Sequence, residues 1–98
     1  MKLYFITEKV TREAMMTVKE APGRAKGVVT FAASFDVRII EFFYCNNLFD
    51  FVMKVEAPDE ESVTAFVMAL NKSGNVTAQM TRAYTPDEWA GLVERLPA

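Results

Sequence analysis

The sequence predicts an α+β domain in the order β-α-β-β-α-β, closed by a short C-terminal helix. Three observations carry this. Four short runs rich in β-branched and aromatic residues are separated by stretches of helical periodicity. An Asn-Asn pair sits between the second and third runs, where a tight hairpin needs residues that tolerate a left-handed backbone. A complete helix-start signature, Thr85-Pro86-Asp87-Glu88, follows the fourth.

Residues 2–8 hold Tyr4, Phe5, Ile6 and Thr7, a compact first strand that ends as Glu8 and Lys9 bring in charge. Thr11 is the expected N-cap of the first helical region, in which Met15, Val18, Val28, Phe31, Ala32 and Phe35 recur at helical spacing. Pro22 lacks an amide hydrogen and pushes Ala21 out of the α region, so a break or kink is predicted at residues 21–24. Residues 37–44 and 49–56 are the second and third strands, an antiparallel pair around Cys45-Asn46-Asn47-Leu48.

Pro58 ends the third strand, and Asp59, Glu60 and Glu61 supply the negative first turn of a second helix. Its apolar face is Val63, Phe66, Val67 and Leu70, and Gly74 is the expected C′ residue. Residues 75–84 alternate Val76, Ala78 and Met80 against Thr77, Gln79 and Thr81, the period of a half-buried strand. The last helix starts at Pro86 and carries Trp89, Leu92, Val93 and Leu96 on one stripe.

Ninety-eight residues suit one core, so residues 1–98 are expected to form a single domain. Right-handed crossovers convert this element order into a ferredoxin-like fold, a four-stranded antiparallel sheet with both main helices on one face. The other face is left bare. Simple alternation along residues 37–44 places Val37, Ile39 and Phe43 on one side and Ile40, Phe42 and Tyr44 on the other, so neither side of this strand is polar. An apolar face of that size needs a cover, and a second copy of the chain is the simplest one.

Asn47-Leu48-Phe49-Asp50, Val55-Glu56-Ala57-Pro58-Asp59, Gly74-Asn75-Val76 and Arg82-Ala83-Tyr84-Thr85, together with the Pro22 to Arg24 segment, resemble the GYD domain family over nearly the whole chain. The family's Gly-x-Tyr-Asp pattern stands here as Asn47-Leu48-Phe49-Asp50, so a phenol is replaced by a phenyl ring. The resemblance implies a dimeric α+β barrel, in which two ferredoxin-like sheets face each other, and it implies no particular activity.

The net charge of −2 offers no general attraction to phosphate backbones or anionic lipid, and Lys19, Arg24 and Lys26 read as a solvated face, so neither nucleic acid nor a membrane is an expected partner. No apolar run approaches twenty residues and nothing at the start resembles a signal peptide, which makes the cytoplasm the expected compartment. With no histidine and a single cysteine, Cys45, no metal site is expected. The main nucleotide-binding and nucleophile-elbow motifs are absent, and no cofactor is expected.

Three residues are candidate ligand contacts. Asp50, just past the hairpin, either anchors a ligand or makes an Asx-type bond to the turn. Arg82 either holds an anionic ligand or pairs with a strand carboxylate such as Glu56 or Glu41. Tyr4 either faces a cavity or belongs to the core. The functional readings are a homodimeric module binding a small apolar or aromatic ligand, a cofactor-independent enzyme of the dimeric barrel type, and a dimerising unit with no ligand. An enclosed cavity containing a perturbed carboxylate is what separates them.

Overall fold

The computed structural model describes the backbone of residues 1–98 and the side chains of all but Ala21, Arg24 and Ala25. In chain order the elements are β1 (Lys2–Val10), α1 (Arg12–Met15), a 3-10 turn (Val18–Glu20), α2 (Ala21–Ala33), β2 (Arg38–Tyr44), β3 (Phe51–Ala57), α3 (Glu60–Lys72), β4 (Val76–Ala83) and α4 (Pro86–Val93). The four strands form one antiparallel sheet in the order β2-β3-β1-β4. This is the ferredoxin-like arrangement: α2 and α3 pack on one side, and Ala32, Val63, Phe66, Val67 and Leu70 meet Tyr4, Ile6, Met53, Val55, Ala57 and Ala78 in a continuous core.

Local chemistry explains most boundaries. Asp59 caps α3 by accepting the Ser62 amide at 2.8 Å, and Gly74 leaves the helix at φ +78°, where any side chain would strain the backbone. At α4 the Thr85 hydroxyl accepts the Glu88 amide at 3.1 Å while the Glu88 carboxylate accepts the Thr85 amide at 2.9 Å, the reciprocal pair expected from the sequence. Asp36 takes φ 62° at the turn into β2, a conformation that short polar side chains tolerate best after glycine.

Two expectations are corrected. The helical region breaks at residues 16–20, before Pro22, because proline in a first helical turn forgoes no hydrogen bond and therefore opens α2 rather than interrupting it. Thr11 does cap α1, accepting the Ala14 amide at 3.2 Å. The expectation that Lys19, Arg24 and Lys26 form a solvated face includes Arg24, whose side chain lies outside the described residues.

The second correction concerns β2. A register shift between Ile39 and Glu41 makes Ile40 an extra residue in the strand. Ile39, Phe42 and Tyr44 then stand opposite Val55, Met53 and Phe51 on the helix side, while Arg38, Glu41 and Phe43 stand opposite Glu56, Lys54 and Val52 on the other. The helix-free face is consequently mixed. Leu3, Phe5, Val52 and Phe43 form a diagonal apolar ribbon interspersed with charge, since Glu56 and Lys54, paired with Arg38 at 2.6 Å and Glu41 at 3.3 Å, stand directly opposite Leu3 and Phe5.

The C-terminal helix buries none of its residues. Trp89 is 58% exposed and Leu96 67%, so the apolar stripe read from the sequence exists but stays largely open to solvent, with the Trp89 ring 5.8 Å from that of Tyr84. The radius of gyration, 15.1 Å, exceeds the value of about 13 Å usual for a compact domain of 100 residues. Among the described residues, no helix is long and apolar enough to cross a membrane.

Candidate functional site

Between the helix side of the sheet and the α1–α2 segment lies a cavity of about 300 Å³. Glu8 and Val10 of β1, Phe42 and Tyr44 of β2 and Phe51 of β3 contribute its sheet side. Gly27, Val28 and Phe31 of α2 and Ala14 of α1 form the opposite wall, and Ala69, Leu70 and Ser73 bound it from α3 and its end. Small residues at Ala14, Gly27 and Ala69 leave the space. A Cβ added to Gly27 would meet nothing within 4 Å.

The β2 bulge determines the composition of this wall. It turns Phe42 and Tyr44 onto the helix side together, where Phe42 stacks on Phe51 at 5.4 Å and Tyr44 meets Phe42 edge-on at 5.2 Å. Without the extra residue, Ile39 and Phe42 would face opposite sides of the sheet.

Glu8 is the polar exception in an apolar setting. It continues the buried alternation Tyr4, Ile6, Glu8 along β1, and its cross-strand neighbours are Phe51 and Ala78, neither of which has a side-chain donor. The residue is 2% exposed, and its Oε2 is the one buried side-chain oxygen or nitrogen without a partner among the described residues. Burial in this setting pushes its carboxyl up to about 8, so at neutral pH it is mostly protonated. Ser73 lines the cavity too, but its hydroxyl already donates to the Leu70 carbonyl at 2.6 Å and accepts the Asn75 amide at 3.2 Å.

The three residues singled out from sequence fall in two places. Asp50 lies beside the cavity: its Oδ2 accepts the Val10 amide at 2.7 Å, its own amide donates to the Glu8 carbonyl at 2.8 Å, and its carbonyl accepts the Cys45 amide at 2.7 Å. It ties the hairpin to the end of β1, and its carboxylate reaches across to β1 instead of bonding to the turn. Tyr4 and Arg82 are cross-strand partners, four residues along β1 from Glu8, or about 13 Å at the rise of a strand.

Tyr4 belongs to the core, and burial pushes its phenol up. Arg82 is held by the Leu3 carbonyl at 3.1 Å, by the Ala83 carbonyl, and by Glu88 of α4 at 3.5 Å, with its guanidinium 4.3 Å from the Tyr84 ring centre. The carboxylates expected to pair with it are engaged elsewhere, Glu56 by Arg38 and Glu41 by Lys54. The sequence reading missed Glu8. Its signal was present in the parity of β1, where an acid occupies the same face as Tyr4 and Ile6.

The arrangement has two chemical capacities. A protonated carboxyl in an apolar cavity can donate and accept a hydrogen bond to a bound molecule, and a carboxyl that titrates near neutrality can move a proton. Among the described residues, no group of three or more His, Cys, Asp or Glu side chains is placed to hold a metal ion.

Comparisons with known proteins place this geometry in context. The family model described as GYD domain matches residues 4–93. A search of curated proteins gave no match. Among solved structures, the chain is similar to one described as the crystal structure of MtbAldR, with a TM-score of 0.60 and 18% sequence identity over 86% of this chain. The match covers 53% of that protein, so the chain spans about half its length. At this identity the likeness is one of fold.

Proposed function

The chain belongs to the GYD domain family, and from that premise we propose that it is a homodimeric module that binds a small, largely apolar or aromatic ligand in the Glu8 cavity. One observation carries the reading: a buried carboxyl with an unpartnered oxygen borders an apolar space that no described side chain fills. Leaving a buried polar atom unmatched costs on the order of 1–3 kcal/mol, a cost that a ligand donor removes. The test uses a panel of small aromatic compounds, read by ligand-observed NMR. Binding is expected to the natural chain and to be lost in Gly27→Leu, whose side chain enters open space from α2. Equal binding to both proteins would place the ligand elsewhere.

The surplus surface supports the dimer. The chain exposes 6950 Å², whereas a monomer of its mass is expected to expose about 5,700 Å². The difference exceeds the roughly 800 Å² that each partner buries in a standard interface. The ribbon of Leu3, Phe5, Val52 and Phe43 and the α4 stripe are the apolar surfaces on offer, and a twofold pairing of the sheets covers the ribbon. Sedimentation equilibrium at micromolar concentration is expected to give a dimer that Phe5→Glu dissociates; a monomer at all concentrations would refute the pairing. A cytoplasmic location suits a chain whose one cysteine has no disulfide partner within it.

A second reading has its own support. A carboxyl raised to about 8 is poised as a general acid or base, which suits a cofactor-independent enzyme built on the same cavity. Turnover of a bound compound, lost in Glu8→Gln with binding retained, would favour it over simple binding.

A further inference from the structure

We propose that the ligand of the Glu8 cavity is a hydrophobic amine, with its ammonium group on the Glu8 carboxylate and its apolar body among Phe31, Phe42, Tyr44 and Phe51. This rests on the reading that the cavity is a ligand site and adds the chemical class of the ligand.

The cavity is one-sided in charge. Among the described residues Glu8 is the one carboxyl that lines it, and no lysine or arginine does. The other titratable lining group is the Tyr44 hydroxyl. Ala14 of α1, the α2 residues Gly27, Val28 and Phe31, the α3 residues Ala69 and Leu70, Phe51 of β3 and Val76 of β4 bring no charge to it. The adjoining Asp50 carboxylate is committed to the Val10 amide. An anionic ligand would hold Glu8 in its protonated form and would bring its own charge into an apolar space where no cation among the described residues offsets it.

The unpartnered Oε2 calls for a donor. An alcohol supplies one neutral hydrogen bond, whereas an ammonium supplies a charge-assisted one, roughly twice as strong. The aromatic side chains add to the preference, since rings attract cations placed over their faces and also bury an apolar body. A volume of about 300 Å³ suits a ligand of one or two rings.

Binding then moves a proton. In the free protein at neutral pH the carboxyl carries its proton, and the incoming amine is already an ammonium. Forming the ion pair leaves the ammonium intact and sends the Glu8 proton to the buffer. Amine affinity should consequently rise with pH until Glu8 is ionised in the free protein, near pH 8.

The experiment is isothermal titration calorimetry on the full chain with 2-phenylethylamine, 2-phenylethanol and phenylacetate, repeated in buffers of different ionisation enthalpy. The expected result is roughly tenfold or greater preference for the amine over the alcohol, no detectable phenylacetate binding, and release of nearly one proton per amine at pH 6.5, falling towards zero at pH 9. Proton release is read on the natural protein and needs no variant. Glu8→Gln, isosteric with the protonated acid, is expected to abolish the proton release and the preference for the amine over the alcohol. Amine and alcohol binding equally, without proton release, would overturn the amine assignment and leave the cavity as a ligand site. No binding by any of the three would overturn both.

Discussion

Replacing Glu8 with glutamine is expected to make the folded chain more stable above pH 8, by up to about 5 kcal/mol, and to change it little at pH 4. Burial raises the carboxyl from an ordinary value of 4.5 to about 8. Between those values the folded chain binds more protons than the unfolded one, so stability must fall as pH rises. The contribution of the neutral carboxyl is complete below about pH 4.5, declines through the window, and is lost above about pH 8. Glutamine keeps the shape and cannot ionise, so its variant should lack this slope.

Other shifted groups act outside that window. Asp59 is held below the usual carboxylate range first by the Ser62 amide, and Glu88 first by the Thr85 amide, so their contributions are lost only as the solution becomes acidic. Urea unfolding of both proteins at pH 5, 7 and 9 measures the effect. The natural chain should lose several kcal/mol across the series while Glu8→Gln stays nearly level, and parallel curves would show that Glu8 is solvated or paired in solution.

Phe66→Ala is expected to cost about 3–5 kcal/mol, a large part of the 5–15 kcal/mol typical of a whole domain. Phe66 is fully buried, and its ring lies 5.9 Å from those of both Phe31 and Phe35, which themselves meet edge-on at 5.3 Å. This cluster joins α3 to α2, and α2 holds one wall of the cavity. Chemical denaturation should show the midpoint falling with the slope unchanged. A loss below about 1 kcal/mol would mean that α2 is not seated on α3 as described.

What the residues disclosed and what they hid differ for physical reasons. Helix starts at Asp59 and Thr85 and the helix end at Gly74 were legible because capping is local: the side chain that closes the element lies within three residues of the amide or carbonyl it serves. Pro22 misled, because the same missing amide that breaks a helix interior is harmless in a first turn, and only the position of the preceding break decides between the two. The β2 bulge left no mark in composition, since Ile40 suits either face and the shift appears only against β3. Glu8 was hidden by a sound rule, that a charge ends a buried run. Only the cross-strand neighbours Phe51 and Ala78 and the open space above them show that the run continues through it.

Each outer strand of the sheet carries a feature that hinders further pairing, and the two features differ. On β4, the side chain of Asn71 donates to the Ala78 carbonyl at 3.1 Å and accepts the Ala78 amide at 2.7 Å, so a helix residue occupies backbone groups to which another strand would otherwise bond. On β2, the bulge at Ile40 interrupts the even spacing that an added strand would need. Strand-by-strand growth into fibrils, the standing hazard of a small open sheet, is obstructed at both ends. The face-to-face pairing proposed above differs from edge growth in this respect, since a twofold contact between sheets would close after two molecules.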